Sequence, residues 1–235
     1  MNWKYLSLKY SIEFVVIFLG IFLSLHLENS NQLMHQYDLK NQSLSRIITN
    51  IATDVKDHKI NITKHSLTIK YSDLLIKRGE ELFRTNRDSL GYYLTALSRS
   101  STTFIDNPEE YYTLRNSGLL EKIKDDELVS ELQKKYTIHN YLQEYEKIIR
   151  ESDVEIEQLV NLHTSSSPLD YVILHSDVLS GKYGTYISDR PLNNYELNIL
   201  SSKANKCYHY LNQSKLMLES DSLLIESIKA EIGLQ

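Results

Sequence analysis

Proline occurs three times and glycine seven times in 235 residues. A many-stranded fold needs a reversing turn about every 8–12 residues, so this shortage of turn formers excludes most sheet architectures and suits a few long helices. Cysteine is nearly absent: Cys207 stands alone, which rules out an intramolecular disulfide and leaves the redox compartment unmarked. The chain has no G-x-G-x-x-G and no G-x-x-x-x-G-K-[ST] to cradle a phosphate. It also lacks H-E-x-x-H, H-x-x-x-H and Cys-x-x-Cys, the spacings that recruit zinc. No Ser, His and acid grouping suggests a triad. The net charge is −5 with no basic block, whereas nucleic-acid binding by counterion release needs a clustered basic surface. These absences point to a non-enzyme without cofactor, metal or nucleic-acid partner.

One long apolar run is present. Between Phe14 and Leu25, ten of twelve residues are Leu, Ile, Val or Phe. At roughly −0.3 to −0.6 kcal/mol each near a bilayer centre, they contribute about −3 to −6 kcal/mol to insertion. The 18 residues from Tyr10 to Leu27 make about 27 Å of helix, close to the hydrocarbon thickness of a membrane. A secretory signal would have a core of similar length. The run, however, passes into Ser24, Leu25, His26, Leu27 and Glu28 without an A-x-A-like cleavage site, so a retained anchor is expected. Lys4 and Lys9 precede it, while Glu28, Asp38, Lys40 and Arg46 nearly balance behind it. This bias predicts a cytoplasmic tail over 1–10, a transmembrane helix over 11–28 and an extramembrane domain over 29–235, periplasmic in a bacterium.

Beyond the anchor, heptad spacing predicts a long helix to about Phe83. One seam carries Tyr37, Leu44, Ile51, His58 and His65, and the other Ile48, Val55, Ile62 and Ile69. Asn29, Ser30 and Asn31 are weak helix formers at which the membrane helix could kink. A short helix is expected from Asp88 to Ser98. Asp106, Asn107 and Pro108 followed by Glu109 and Glu110 read as the capped start of another, ending at Gly118. From Asp126 to His163 no Gly or Pro intervenes, and Leu128, Leu132, His139, Leu142, Ile149, Ile156 and Val160 keep a helical period. The segment to Pro191 reads as a short helix and an irregular connection. Asn193 and Glu196 then form a capping-box pattern. The last helix alternates Leu197, Ala204, Leu211, Leu218, Ile225 and Ile232 with Leu200, Cys207, Ser214, Asp221 and Ile228. The expected fold is all-α: one N-terminal transmembrane helix, then an up-and-down bundle of three long helices with short connecting helices.

Within the anchor, Glu13, Ile17, Gly20 and Ser24 share one face, and Gly20-x-x-x-Ser24 is a small-x-x-x-small spacing that lets a second helix approach. Glu13 also lies one turn from Lys9, with which it can pair at the interface. His58 and His65 occupy inward positions, where packed core residues are the expectation and a pH-responsive or metal role the alternative, and the inward Cys207 reads as a small core hydrophobe, with a nucleophile as the alternative. The 17 tyrosines fill seams or supply a contact surface.

Two stretches, SIEFVVIFLGIFLSLHLENS at 11–30 and EYYTLRNSGLLEKIKDDELVSELQKKY at 110–136, resemble a bacterial family of single-pass membrane proteins of unknown function. With the final helix the similarity covers nearly the whole chain. At the membrane exit Ser24, His26 and Ser30 depart from the Ala, Gln and Trp frequent in that family. The resemblance implies a membrane-anchored helical domain and carries no activity. The expected role is therefore that of a subunit or scaffold of an inner-membrane assembly, as a homo-oligomer or in a hetero-complex. A sensory ectodomain signalling through a partner is one alternative. An accessory subunit of an ion-driven motor or transport complex, suggested by Glu13, is the other.

Overall fold

A computed structural model describes residues 3–165 and 184–233. These residues are all-α: helices α1 (Trp3–Thr85), α2 (Arg87–Ser98), α3 (Glu109–Asn116), α4 (Asp126–His163) and α5 (Asn194–Ile232), with a 3-10 turn at Leu119–Lys122. The only pairing of strand type among them is the isolated bridge between Thr164 and Tyr186. Most of the segment up to Pro191, where a short helix and an irregular connection are expected, lies outside the described residues.

α1 runs without interruption for 83 residues, about 125 Å. The helix is unbroken through Asn29–Asn31, because such residues each cost only some tenths of a kcal/mol in a helix, far less than proline, and α1 contains none. It is the one described helix long and apolar enough to cross a membrane. It ends where Asn86 leaves helical geometry (φ −155°) and turns its side chain to accept from Ser89 N, capping α2. α4 is capped by Asp125, and α5 by the full Asn193–Glu196 box. α3 differs from expectation. Pro108 is its N-cap, with no side-chain bond, and the Asp106 carboxylate instead lies 3.1 Å from His139.

Three long helices and one broken arm pack side by side. Lys40 meets Glu231, Asn61 meets Tyr210 and His65 meets Cys207, so α1 and α5 are antiparallel. Lys135 meets Asp221, Tyr141 meets His209 and His163 meets Glu196, so α4 and α5 are antiparallel as well. α1 and α4 therefore point the same way. The chain returns between them through α2, an irregular stretch over 99–108 and α3. α2 packs against Leu75 and Leu82, with Leu90, Leu94 and Leu97 joining Ile156, Leu159 and Leu200. α3 packs at the opposite end, where Tyr111 and Leu114 meet Leu44, Ile47, Ile51, Leu128 and Leu132. A third apolar cluster, Leu142, Ile149, Cys207, Tyr210 and Met217, lies between.

Gly91 of α2 is required by close approach. A Cβ there would stand 2.1 Å from Gly184 O and 2.7 Å from Tyr186 N, both backbone atoms. At Gly79 nothing lies within 4 Å of the same position, and the residue is in mid-helix. Gly91→Ala should therefore destabilise the protein by about 1–3 kcal/mol, through forced backbone displacement. Gly79→Ala should stabilise by about 0.5–1 kcal/mol. Thermal unfolding followed by helical ellipticity checks both signs.

Candidate functional site

The interior of the helical body is polar at regular intervals. On α1 the buried residues Leu44, Ile47, Ile51, Asp54, His58, Asn61, His65, Thr68, Ser72 and Leu75 follow strict 3-4 spacing. The seam through Leu44, Ile51, His58 and His65 is where periodicity placed it. The flank differs, because Ile48, Val55, Ile62 and Ile69 are half-buried and the polar series Asp54, Asn61, Thr68 is turned inward instead. α5 repeats the pattern. Leu200, Cys207, Leu211, Ser214, Asp221 and Ile228 are buried as expected, but Lys203, Met217 and Leu224 take the inner flank in place of Ala204, Leu218 and Ile225, and Tyr210 is buried beside Leu211. α4 adds buried Lys135, Glu146 and Ser152 to its apolar seam.

The densest polar group lies where α1, α4 and α5 meet residue 106 of the return arm. The Lys135 ammonium donates to Asp221 Oδ1 at 2.8 Å and to His139 Nε2 at 3.1 Å, and lies 3.1 Å from Asp54 Oδ2. His139 therefore presents an unprotonated Nε2 to the lysine and its Nδ1–H side to Asp106 Oδ2, 3.1 Å away. His58 stacks on Phe104 (4.4 Å, 19°) and stands edge-on to His139 (5.6 Å). Among the described residues neither of its ring nitrogens has a hydrogen-bond partner, and Asp54 Oδ2, Asp106 Oδ1, His139 Nδ1, Asp221 Oδ2 and the Tyr136 hydroxyl also lack one. Burial pushes Asp54 upward against the pull of Lys135 and His139. Burial, helped by His139 and Lys135, lowers His58 to about 3. Tyr136, stacked on Tyr111 at 4.4 Å, is raised by burial and by the three aspartates.

A second chain of contacts begins at Cys207. His65 Nδ1 lies 3.3 Å from its Sγ, His65 Nε2 is 2.9 Å from Thr102 Oγ1, and that hydroxyl donates to Glu146 Oε1 at 2.8 Å. With Thr102 donating onward, His65 Nε2–H is the donor to Thr102, and the thiol donates to Nδ1. This is not an activated nucleophile. Cys207 is fully buried and burial pushes its thiol up to about 12, while His65 is lowered to about 4. At the far end of the body, Arg190 grips Glu196 with two bonds (2.9 and 2.7 Å). Glu196 also accepts from Asn193 N and lies 2.9 Å from His163, and these contacts hold it at about 2.

The candidates from the membrane segment do not join these clusters. Glu13, Ile17, Gly20 and Ser24 are all exposed on α1. Glu13 lies 3.9 Å from Lys9, and nothing stands within 4 Å of a Cβ at Gly20. His58, His139 and Asp221 were each legible as inward-facing. Their convergence was not, because it depends on how α1, α4 and α5 slide against one another. Lys135, Asp54 and Asp106 gave no apolar signal at all. Compared with family models, curated proteins and solved structures, the chain matches none.

His58 and His65 are neutral when folded down to about 3 and 4, yet protonate near 6.5 when unfolded. Between pH 6.5 and 4 the unfolded chain therefore binds more protons, and stability falls as pH falls, by about 1.4 kcal/mol per unit for each histidine. Asp54, raised by burial, opposes this only as it takes up its own proton in the folded state. Denaturant unfolding at pH 7, 6 and 5 should show that slope, and His65→Gln should remove about half of it.

Proposed function

We propose that this chain is a membrane-anchored helical protein that works by protein contact, as a subunit or scaffold of a bacterial inner-membrane assembly. Residues 1–10 are cytoplasmic, α1 crosses the bilayer over 11–28, and residues 29–235 form a periplasmic up-and-down bundle of three long helices. The resemblance to the single-pass family of unknown function agrees with this arrangement.

One observation carries the reading. No residue of α1 from Glu13 to Leu39 is buried, and burial begins at Lys40. The bilayer span over 11–28 takes up 16 of these residues, and the remaining 11, residues 29–39, make a stalk of about 16 Å between membrane and body. Leu33, Met34, Tyr37 and Leu39 are exposed on that stalk. A lone helix of that length gains nothing by exposing apolar side chains to water, so a partner helix supplies what the chain itself does not.

A second reading, a sensory ectodomain that signals through a partner, is favoured by one feature. The buried charged centre includes Asp54 and His58 of α1, the helix that continues unbroken to the membrane segment.

The stalk is directly testable. Cys207 is the sole cysteine and is buried, so a cysteine introduced at Leu33 is the only accessible thiol. Thiol crosslinking in native membranes should give an adduct of defined mass, and absence of adducts from Leu33, Met34 and Tyr37 alike would contradict the proposal. Because the described residues leave space at Gly20, Gly20→Leu should leave insertion intact while reducing adduct yield several-fold.

A further inference from the structure

We propose that the buried centre of the helical body is a binding site for a divalent first-row transition ion of the zinc class, with His58, His139 and Asp221 as its protein ligands. One donor atom from each of these side chains lies within 4.8 Å of the others, and all three residues are fully buried. Ligands at about 2.0–2.2 Å from a tetrahedral metal stand about 3.3–3.6 Å apart. Closing the site therefore needs side-chain adjustment of about 1 Å and no rearrangement of helices.

Three independent features converge. The first is the set of unpartnered atoms. His58 is 0% exposed with neither ring nitrogen hydrogen-bonded, and Asp221 Oδ2 is equally unpartnered. Buried polar atoms are rarely left so, and a neutral imidazole with a free nitrogen is a metal ligand in waiting. The second is orientation. Asp106 Oδ2 stands 3.1 Å from His139 Nδ1 while Nε2 accepts from Lys135, so a carboxylate lies on the outer side of the ring, where a small reorientation would complete the carboxylate–histidine–metal arrangement.

The third is charge. Asp54, Asp106 and Asp221 are three carboxylates against the single ammonium of Lys135, and the excess of two negative charges is what one dication neutralises. Lys135 is the cation now held there, since its ammonium touches two of the three ligands, Asp221 and His139. On metal binding it withdraws toward Asp54, 3.1 Å away, and that pair stays neutral. Two imidazoles and a carboxylate favour zinc, cobalt or nickel over calcium or magnesium, which prefer all-oxygen shells.

The test uses the full-length, untagged chain in detergent micelles, treated with chelator and titrated with Zn²⁺ by calorimetry and with Co²⁺ by visible absorption. One ion per chain is expected, with the intense d–d bands of a low-coordinate cobalt site. His58→Phe keeps the ring stack on Phe104 and, with its fold verified by ellipticity, should lose at least 100-fold in affinity. Lys135→Met removes the competing cation and should bind at least 10-fold more tightly. Unchanged affinity in His58→Phe would overturn the proposal by assigning binding to exposed histidines. No binding in either the parent chain or Lys135→Met, or equal binding of Mg²⁺ and Zn²⁺, would overturn it too, leaving the cluster a purely structural ion pair.

Discussion

Everything in the helical body is arranged around the Lys135 ammonium, which ties α4 to Asp221 of α5 and Asp54 of α1 with almost no contact to water. Taking such charges out of solvent costs several kcal/mol per ion and is offset only when every partner is in place. Apolar seams alone tolerate a slip of one heptad, because one leucine layer resembles the next. Here the layers differ. Lys40 with Glu231, Lys135 with Asp54 and Asp221, His65 with Cys207, Lys203 with Asp153, and His163 with Glu196 succeed one another along the body. Sliding α5 by seven residues would set Ser214 or Ile228 opposite Lys135, and no such slide satisfies the remaining layers.

The polar interior also has a local cause. Between α2 and α3 the return arm is irregular over residues 99–108, and beyond its ends, where Arg99, Ser100 and Pro108 bond to the adjoining helices, its backbone groups lie outside any helical ladder. The long helices must satisfy them with side chains. Glu146 accepts from Phe104 N, Asp57 accepts from Ile105 N, and Arg150 donates to Thr102 O. The buried Glu146 of α4 and the half-buried Asp57 of α1 are thus partly the consequence of packing a non-helical arm where a fourth helix would otherwise lie. That arm in turn delivers Thr102, Phe104 and Asp106 to the two histidine clusters.

The helices themselves were legible from apolar period, scarcity of breakers and caps. α4 spans the stretch its pattern defines, and the Asn193–Glu196 box closes α5 as its spacing implies. The inner flank of α1 and α5 was not, because hydrophobicity favoured Val55 and Ile62 over Asp54 and Asn61, and Ala204 over Lys203. Burial of those polar residues is decided by partners on other helices, which a one-dimensional period does not encode. Asp106 shows the same limit. Its local signal was that of a helix cap, and a tertiary contact with His139 outcompeted that role. The buried site was therefore half visible, as inward-facing His58, His139 and Asp221, and half hidden in Asp54, Lys135 and Asp106.

The claim that a charged centre fixes the mutual register of α1, α4 and α5 is tested most directly by a double-mutant cycle on Lys135→Met and Asp221→Leu, measured by equilibrium unfolding of the full chain. Each single change leaves charge stranded in the interior and should cost about 3–5 kcal/mol, while the double should cost less than the sum by at least about 2 kcal/mol. Costs that add to within about 0.5 kcal/mol would mean that the two residues are not energetically joined, and the apolar seams alone would then have to hold the helices in register.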